Sequence, residues 1–158
     1  RVSRFYREGT MYPCTLKNLA TIYIGLFADI KDVAQYRSCS FMSHETPEPG
    51  WALVPPEAPR ESLDKSYMEH NQYLRYLAST LKLASHLVRR RTLTEALYDL
   101  IVGRMVLGQT LQKATLDWTS TGMSKTDFVC IYYSDAGIRL RHLSRQTRNK
   151  ALGLCPNW

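Results

Sequence analysis

Cysteine is scarce and widely spaced in this chain. The four cysteines are Cys14, Cys39, Cys130 and Cys155, and no two of them form a Cys-x-x-Cys pair, so neither a structural zinc site nor a disulfide framework is signalled. Cys39 and His44 share one segment, but two ligands fall short of the four that a structural zinc normally takes. We therefore expect reduced thiols in an intracellular compartment.

The chain also has no long hydrophobic run. Its longest apolar stretch, residues 19–30, is interrupted by Thr21, Gly25 and Asp29, and it is shorter than the roughly 20 residues that span a bilayer. We expect a buried helix or strand pair here and no membrane insertion. Because the sequence begins at Arg1 and not at Met, we expect a processed form or a fragment whose true start is not shown, and no intact signal or transit peptide is visible in it.

Catalytic signatures are missing as well. There is no nucleophile elbow, phosphate-binding loop, paired-histidine metal motif or dinucleotide fingerprint. The four histidines, His44, His70, His86 and His142, lie in unrelated local contexts, and a histidine without a positioned partner is more often structural than catalytic. We expect no enzymatic activity, no metal, no cofactor and no small-molecule substrate.

What the sequence does contain is positive charge. Its 158 residues carry 21 Lys and Arg against 14 Asp and Glu, a net charge of +7, and the isoelectric point is near 9.4. Such a balance favours a polyanionic partner, most often nucleic acid, or an anionic membrane surface, although a merely basic protein is the simpler alternative. The 44% hydrophobic content is enough for one packed core.

Composition divides the chain into three regions. Residues 1–60 read as an N-terminal extension, with a possible helix over 15–36 and a Pro-rich linker over 43–60. Five of the seven prolines lie in that linker, which argues against helix or central strand there because proline lacks a backbone donor. Residues 61–134 form the expected globular core, and residues 135–158 form a basic extended arm.

Apolar spacing predicts a helix over residues 73–91. It would end at Arg89, Arg90 and Arg91, where cations complement the negative end of the helix dipole. One or two cations are enough for that role, so a solvated face and a phosphate contact are equal alternatives for the triplet.

Two further helices and a strand are expected in the core. Thr92 and Glu95 have capping-box spacing, which begins a short second helix whose core positions are Leu93, Ala96, Leu97 and Leu100. We expect the second helix to end at Gly103 and a third helix to follow over residues 104–118. Residues 126–133 are rich in β-branched and aromatic side chains and predict a strand.

The C-terminal stretch has no acid after Asp135. Ile138 and Leu140 alternate with Arg139 and Arg141, which is typical of a strand with one apolar and one basic face. Arg145, Arg148 and Lys150 follow among polar residues, and this arm should order only against something negative. Residues 134–137 could be a hairpin turn or a bulge, and the local residues favour the turn.

Several blocks line up in order with a known family. Residues 83–97 read Leu-Ala-Ser-His-Leu-Val-Arg-Arg-Arg-Thr-Leu-Thr-Glu-Ala-Leu, similar to a family pattern of leucine, two small residues, a polar residue, Leu-Ile-Arg-Gly-Lys and a Glu-Ala-Leu helix. Residues 111–118 are similar to the family's third helix, 135–137 to its Asp-Glu-Gly, and 145–151 to its Pro-Arg-Ala-x-Gly-Arg-Ala. On these blocks the sequence resembles the universal large-subunit ribosomal protein twenty-two family.

The resemblance implies a structural constituent of the large ribosomal subunit that binds ribosomal RNA and neighbouring ribosomal proteins near the nascent-peptide exit tunnel. A divergent sequence with an N-terminal extension suggests a mitochondrial, or more broadly organellar, ribosome. The implied RNA-binding residues are Arg89, Arg90, Arg91, Arg139, Arg141, Arg145, Arg148 and Lys150.

The expected fold class is α+β, with three helices packed on a small antiparallel sheet, an extended basic β arm and the Pro-rich N-terminal extension. The family makes residues 135–137 a bulge within one long strand, which overrides the local turn prediction. The sequence departs from the family where Gln146 and Asn149 replace its tip arginine and glycine, and it ends without the returning strand of the hairpin.

Two other functions stay open. The chain could be a non-catalytic accessory subunit of a large mitochondrial membrane complex, with aromatic stretches around Tyr12, Tyr23, Phe27 and Tyr36 against other subunits and arginines against acidic subunits or anionic lipid. A DNA-binding helical module using Arg89–Arg91 is the third option, but it lacks a convincing recognition helix.

Overall fold

The computed structural model describes residues 1–157 and has a mixed α+β fold, which confirms the predicted class. In this part of the chain there are five α-helices, where three were expected: α1 (Leu16–Ile22), α2 (Lys31–Ala34), α3 (Phe41–His44), α4 (Tyr67–Thr80) and α5 (Leu93–Val106). The strands are β1 (Arg4–Arg7), β2 (Thr10–Pro13), β3 (Arg89–Arg90), β4 (Leu116–Gly122), β5 (Asp127–Ser134), β6 (Gly137–Ser144), β7 (Leu152–Gly153) and β8 (Pro156–Asn157).

A four-stranded sheet with the order β6-β5-β4-β7 is the centre of the fold. β5 is the strand predicted over 126–133, and it pairs antiparallel with β4 and β6. β7 returns to pair parallel with β4. Two small antiparallel pairs, β1 with β2 and β3 with β8, lie outside this sheet.

The β5–β6 connection is a tight turn, so the bulge implied by the family resemblance is wrong and the local prediction is confirmed. Ser134 pairs with Gly137 across the turn, and the Ser134 hydroxyl donates to the Gly137 carbonyl at 2.8 Å. Gly137 has φ of +125°, and a Cβ there would lie 2.5 Å from the Leu26 carbonyl oxygen. The turn therefore requires glycine, both for its backbone angle and for the close approach of the neighbouring segment.

α5 begins at the predicted capping box. Thr92 accepts from the Glu95 amide, and Glu95 in turn accepts from the Thr92 amide. The four predicted core positions are all fully buried: Leu93, Ala96, Leu97 and Leu100.

The predicted third helix over 104–118 is wrong. α5 continues through Gly103 to Val106, and a Cβ at Gly103 would lie 3.0 Å from the Leu111 side chain, so the glycine lets the following loop fold back on the helix. Trp118, expected on a helix, is fully buried in β4 opposite Cys130 of β5. Pairing with β5 overrides the helical spacing of this stretch.

The helix predicted over 73–91 is displaced toward the N-terminus. α4 begins at a second capping box, Ser66 with Glu69. It ends where Lys82 takes φ of +55°, with the Leu83 amide bonded to the Ala78 carbonyl at 2.9 Å in the pattern of a Schellman motif. Arg89 and Arg90 therefore lie in β3 rather than in the last turn of a helix.

The N-terminal region is part of the packed structure. The helix predicted over 15–36 is replaced by α1, a 3-10 turn at Ile24–Leu26 and α2, and residues 45–59 contain no helix or strand. Phe27 forms a parallel bridge with Ile138 at the edge of β6. No helix among residues 1–157 combines the length and the apolar character that crossing a membrane requires.

One hydrophobic core draws on all three predicted regions. Leu16 and Tyr36 from the N-terminal region pack with Leu97 from α5 and with Ile138 and Leu140 from β6. A smaller cluster on the opposite face of the sheet contains Tyr67, Trp118, Cys130 and Leu152.

The C-terminal stretch, predicted as a separate arm, is built into this fold. Leu152, Leu154 and Cys155 are fully buried, and β8 pairs with β3 through Arg90 and Pro156. The apolar residues at the end of the chain supply the burial energy that the basic stretch lacks by itself.

Candidate nucleic-acid interface

Arg91 lies inside the protein. Its guanidinium is fully buried and donates to Asp99 Oδ2 at 2.9 Å and to Asp117 Oδ2 at 2.6 Å. Burial alone would lower the pKa of Arg91, but the charges of Asp117 and Asp99 and the hydrogen bond to Asp99 together outweigh it, and the pKa is raised. A guanidinium held between two carboxylates in the core has no surface to offer to RNA.

Arg90 is also turned inward. Its Cζ lies 3.6 Å from the centroid of the Tyr67 ring, and its Nη atoms donate to Asn71 Oδ1 at 2.5 Å and to the Tyr67 carbonyl. Burial lowers the pKa of Arg90, and Tyr67 and Asp117 oppose that shift. No carboxylate of residues 1–157 forms an ion pair with this guanidinium, so cation–π contact and neutral acceptors stabilise it.

Arg89 is the only partly exposed member of the triplet, and acids surround it. It donates to Glu95 at 2.7 Å and to Glu48 at 2.8 Å, and the hydrogen bond that Glu95 accepts is the first cause of its raised pKa. The structure thus corrects the expectation for Arg89, Arg90 and Arg91, because all three side chains bind partners within the protein. The DNA-binding interpretation that relied on this cluster loses its contact residues.

The predicted alternation in β6 is confirmed. Ile138 and Leu140 are buried, whereas Arg141 is exposed and Arg139 is half-buried. Arg139 pairs with Asp32 at 2.6 Å, across the edge of the sheet. Arg141 has no ion-pair partner among residues 1–157, and its Cζ lies 5.9 Å from the Tyr132 ring centroid. Of the two strand arginines, only Arg141 is free for an external anion.

Arg145, Arg148 and Lys150 lie in the connection between β6 and β7, and all three are exposed. Two turns shape this connection: the Thr147 amide bonds to the Ser144 carbonyl at 2.8 Å, and the Leu152 amide bonds to the Asn149 carbonyl at 2.9 Å. The predicted disordered arm is therefore an ordered loop in this structure.

Backbone hydrogen bonds hold Arg145 against two other elements. Its amide donates to the Thr126 carbonyl at 2.8 Å, and its carbonyl accepts from the Tyr67 amide at 3.0 Å. The first bond brings the β4–β5 turn, with the exposed Lys125, beside the loop. Sequence reasoning missed Lys125, since a single lysine in a turn carries no signal until the sheet register is known.

We call Lys125, Arg141, Arg145, Arg148 and Lys150 the basic surface. Arg148 pairs with Glu69, and the other four cations form no ion pair within residues 1–157. Hydrogen bonds from Ser66 lower the pKa of Glu69, with Arg148 as a smaller cause. Beside this pair a cleft of about 400 Å³ is lined by Ser66, Met68, Arg145, Gln146 and Arg148.

The arginine and lysine side chains of the basic surface are suited to binding phosphate oxygens. Arginine suits the task because its planar fork takes a phosphate through two parallel hydrogen bonds. His70 is fully buried, and its Nε2 lies 2.6 Å from the Ser62 carbonyl. Burial lowers the pKa of His70 to about 4, so the ring is neutral and structural. Among residues 1–157 no group of His, Cys, Asp and Glu side chains is arranged to hold a metal ion.

Comparisons with family models, with curated proteins and with solved structures found no match to this chain.

Proposed function

We propose that this chain is a non-catalytic RNA-binding protein and that the basic surface is its contact with phosphates. The observation that carries the proposal is a set of four exposed cations around a loop that backbone hydrogen bonds hold in place. These cations have no ion-pair partner within residues 1–157: Lys125, Arg141, Arg145 and Lys150. Residues 136–158 contain no acid at all, so nothing nearby in the chain neutralises three of them.

The mechanism is electrostatic positioning. Each cation that neutralises a phosphate releases condensed counterions, so RNA affinity should fall steeply with salt. Specificity would come from the shape of folded RNA, because the surface presents charge and not a set of base-reading side chains. Arg141 near the Tyr132 ring adds a place where an unpaired base could stack.

In its narrower form, the proposal makes the chain a constituent of the large ribosomal subunit, in an organellar ribosome, with ribosomal RNA and ribosomal proteins as partners. The resemblance of residues 145–151 to the family's basic tip supports it. The family's three consecutive helices and long bulged strand do not support it. In the structure, strand β4 begins within the expected third helix, and a tight turn takes the place of the bulge.

The test is RNA affinity as a function of salt concentration for the triple variant R145Q/R148Q/K150Q. The matched control is K31Q/R60Q/R104Q, which removes three exposed cations that lie outside the basic surface and form no ion pair within residues 1–157. We expect the slope of log affinity against log salt to become shallower by about 2–3 in the triple variant and to change by less in the control. Equal slopes for both variants would mean that the basic surface is not the RNA contact.

Sedimentation tests the narrower form. Co-migration with the large ribosomal subunit that survives moderate salt and is lost on nuclease treatment would support it.

The second candidate is the accessory subunit of a mitochondrial membrane complex. It is favoured by exposed apolar side chains on the Pro-rich segment and beside it, at Trp51, Leu53, Leu83 and Leu87. These side chains could contact other subunits, since aromatic residues anchor many protein interfaces. Migration with a detergent-solubilised complex that nuclease leaves intact would support this candidate against the first.

A further inference from the structure

The helices of the N-terminal region enclose a groove on the side of the molecule formed by α1, α2 and α3. Its volume is about 510 Å³, and its ten lining residues are Lys17, Ala20, Thr21, Ile24, Ile30, Val33, Ala34, Arg37, Met42 and Ser43. None of these residues belongs to the basic surface.

Two stripes of residues, each partly helical, form the walls. Lys17, Ala20, Thr21 and Ile24 follow the spacing i, i+3, i+4, i+7, and so do Ile30, Val33, Ala34 and Arg37. In the first set Lys17, Ala20 and Thr21 belong to α1, and Ile24 begins the 3-10 turn that follows. In the second set Val33 and Ala34 belong to α2, and Ile30 and Arg37 lie on either side of that short helix. The first stripe begins with a cation, and the second ends with one.

The floor of the groove is apolar. Ala20, Val33 and Met42 are buried members of the main core cluster. Ile24 and Ile30 are 56% and 41% exposed, although isoleucine is usually buried. The protein thus holds an apolar surface open above a packed core.

The two cations in the walls lack partners. Lys17 and Arg37 are exposed, and neither forms an ion pair within residues 1–157. No Asp or Glu lines the groove. An occupant must therefore bring apolar groups for the floor and carboxylates for the two cations.

From this complementarity we infer that the groove docks an acidic amphipathic helix of a partner protein. Helix-in-groove recognition uses apolar anchors at i, i+3, i+4 and i+7. Two separate cations also favour a peptide with several carboxylates over a fatty acid, which has one.

The test uses two labelled peptides and fluorescence polarisation. The acidic peptide, about 16 residues long so that it can form a helix, has Leu at i, i+3, i+4 and i+7 with Glu around them, and the basic peptide has Lys in place of every Glu. We expect the acidic peptide to bind at least about tenfold more tightly than the basic one.

Reversing the groove charges should reverse this preference. The variant K17E/R37E should bind the acidic peptide at least about tenfold more weakly and the basic peptide more tightly. The control K31E/R60E makes the same change of charge at exposed positions outside the groove and should behave as the parent protein. A second variant, I24S/I30S, should weaken binding of both peptides; circular dichroism and urea midpoints establish that each variant is folded.

Two results would overturn the inference. One is equal binding of the acidic peptide by K17E/R37E and K31E/R60E. The other is binding of decanoate, lost in K17E/R37E, by a protein that ignores both peptides, which would assign the groove to an anionic lipid. No RNA takes part in the peptide test. A negative result in that test therefore does not affect the proposed RNA contact, and a negative result in the RNA test does not affect the inference about the groove.

Discussion

Arg89, Arg90 and Arg91 form one basic cluster of this chain, and Arg145, Arg148 and Lys150 form another. The first cluster lies against Glu48, Glu95, Asp99, Asp117 and the Tyr67 ring. In the second, Arg148 alone has a carboxylate partner among residues 1–157, and that partner is Glu69.

The difference lies in what surrounds each cluster. Glu95 and Asp99 follow Arg91 within one helix of strongly apolar character, so folding that helix brings acids and burial to the arginines together. The loop after β6 has neither acids nor large apolar residues before Leu152. A basic run is therefore free for a polyanion only when its neighbours cannot neutralise it.

The largest expected effect comes from removing the buried cation. Arg91→Met leaves Asp117 in the core with only the Cys155 amide, at 2.7 Å, and leaves Asp99 with Arg1 alone. Breaking a buried pair from one side costs about 3–5 kcal/mol. Urea unfolding measures this loss, and the double variant R91M/D117N should recover part of it. A loss below about 1 kcal/mol would contradict the assigned role.

The buried region should also respond to acid through His70. Its folded-state pKa, about 4, is below the ordinary value of 6.5, so the unfolded chain takes up the proton first as the pH falls. The free energy of unfolding should therefore decrease between pH 6.5 and pH 4, by at most about 3 kcal/mol. His70→Gln keeps a donor near the Ser62 carbonyl and removes the titration, so its stability should lose this pH dependence; an unchanged pH dependence would rule His70 out as the cause.

The loss of stability on removing the Arg90 side chain should lie between the losses expected for Arg91 and for the exposed loop cations. Arg90→Met removes the contact with the Tyr67 ring and the bonds to Asn71 and the Tyr67 carbonyl, but it leaves no carboxylate unpaired. We expect a loss of about 1–2 kcal/mol in urea unfolding, smaller than for Arg91→Met. If Arg90→Met and Arg91→Met lose equal stability, pairing with a carboxylate does not explain the larger loss expected for Arg91.

The smallest effect on stability is expected for R145Q/R148Q/K150Q. These side chains are exposed, and the single pair with Glu69 is a surface ion pair, so the free energy of unfolding should change by less than about 0.5 kcal/mol. The same urea titration measures it. A large loss in the free energy of unfolding would mean that the loop cations stabilise the fold, which would contradict the contrast with Arg91.

Features that depend on neighbouring residues could be predicted well. The capping box at Thr92, the buried positions of α5, the alternation in β6 and the turn before Gly137 all follow from local spacing and backbone preference. For the candidate site, local reasoning correctly placed Arg141, Arg145, Arg148 and Lys150 on the surface.

Features that depend on residues distant in the sequence could not be predicted. The apolar spacing over 104–118 fits a helix, yet Trp118 pairs with Cys130 in the sheet. The family resemblance implies a bulge at residues 135–137, whereas the local residues predict the tight turn that the structure has. Arg91 was misplaced because its acceptor Asp117 is 26 residues away.

The sequence by itself determined where this protein carries positive charge, where its best helix begins and which strand has a basic face, because charge, capping and alternation are properties of short segments. Only the tertiary structure decided which cations are free, since that depends on acids brought near from β4, α4 and the Pro-rich segment. It also decided that the C-terminal stretch is part of the fold, because burial of Leu152, Leu154 and Cys155 against distant elements outweighs the polar character of the loop before them.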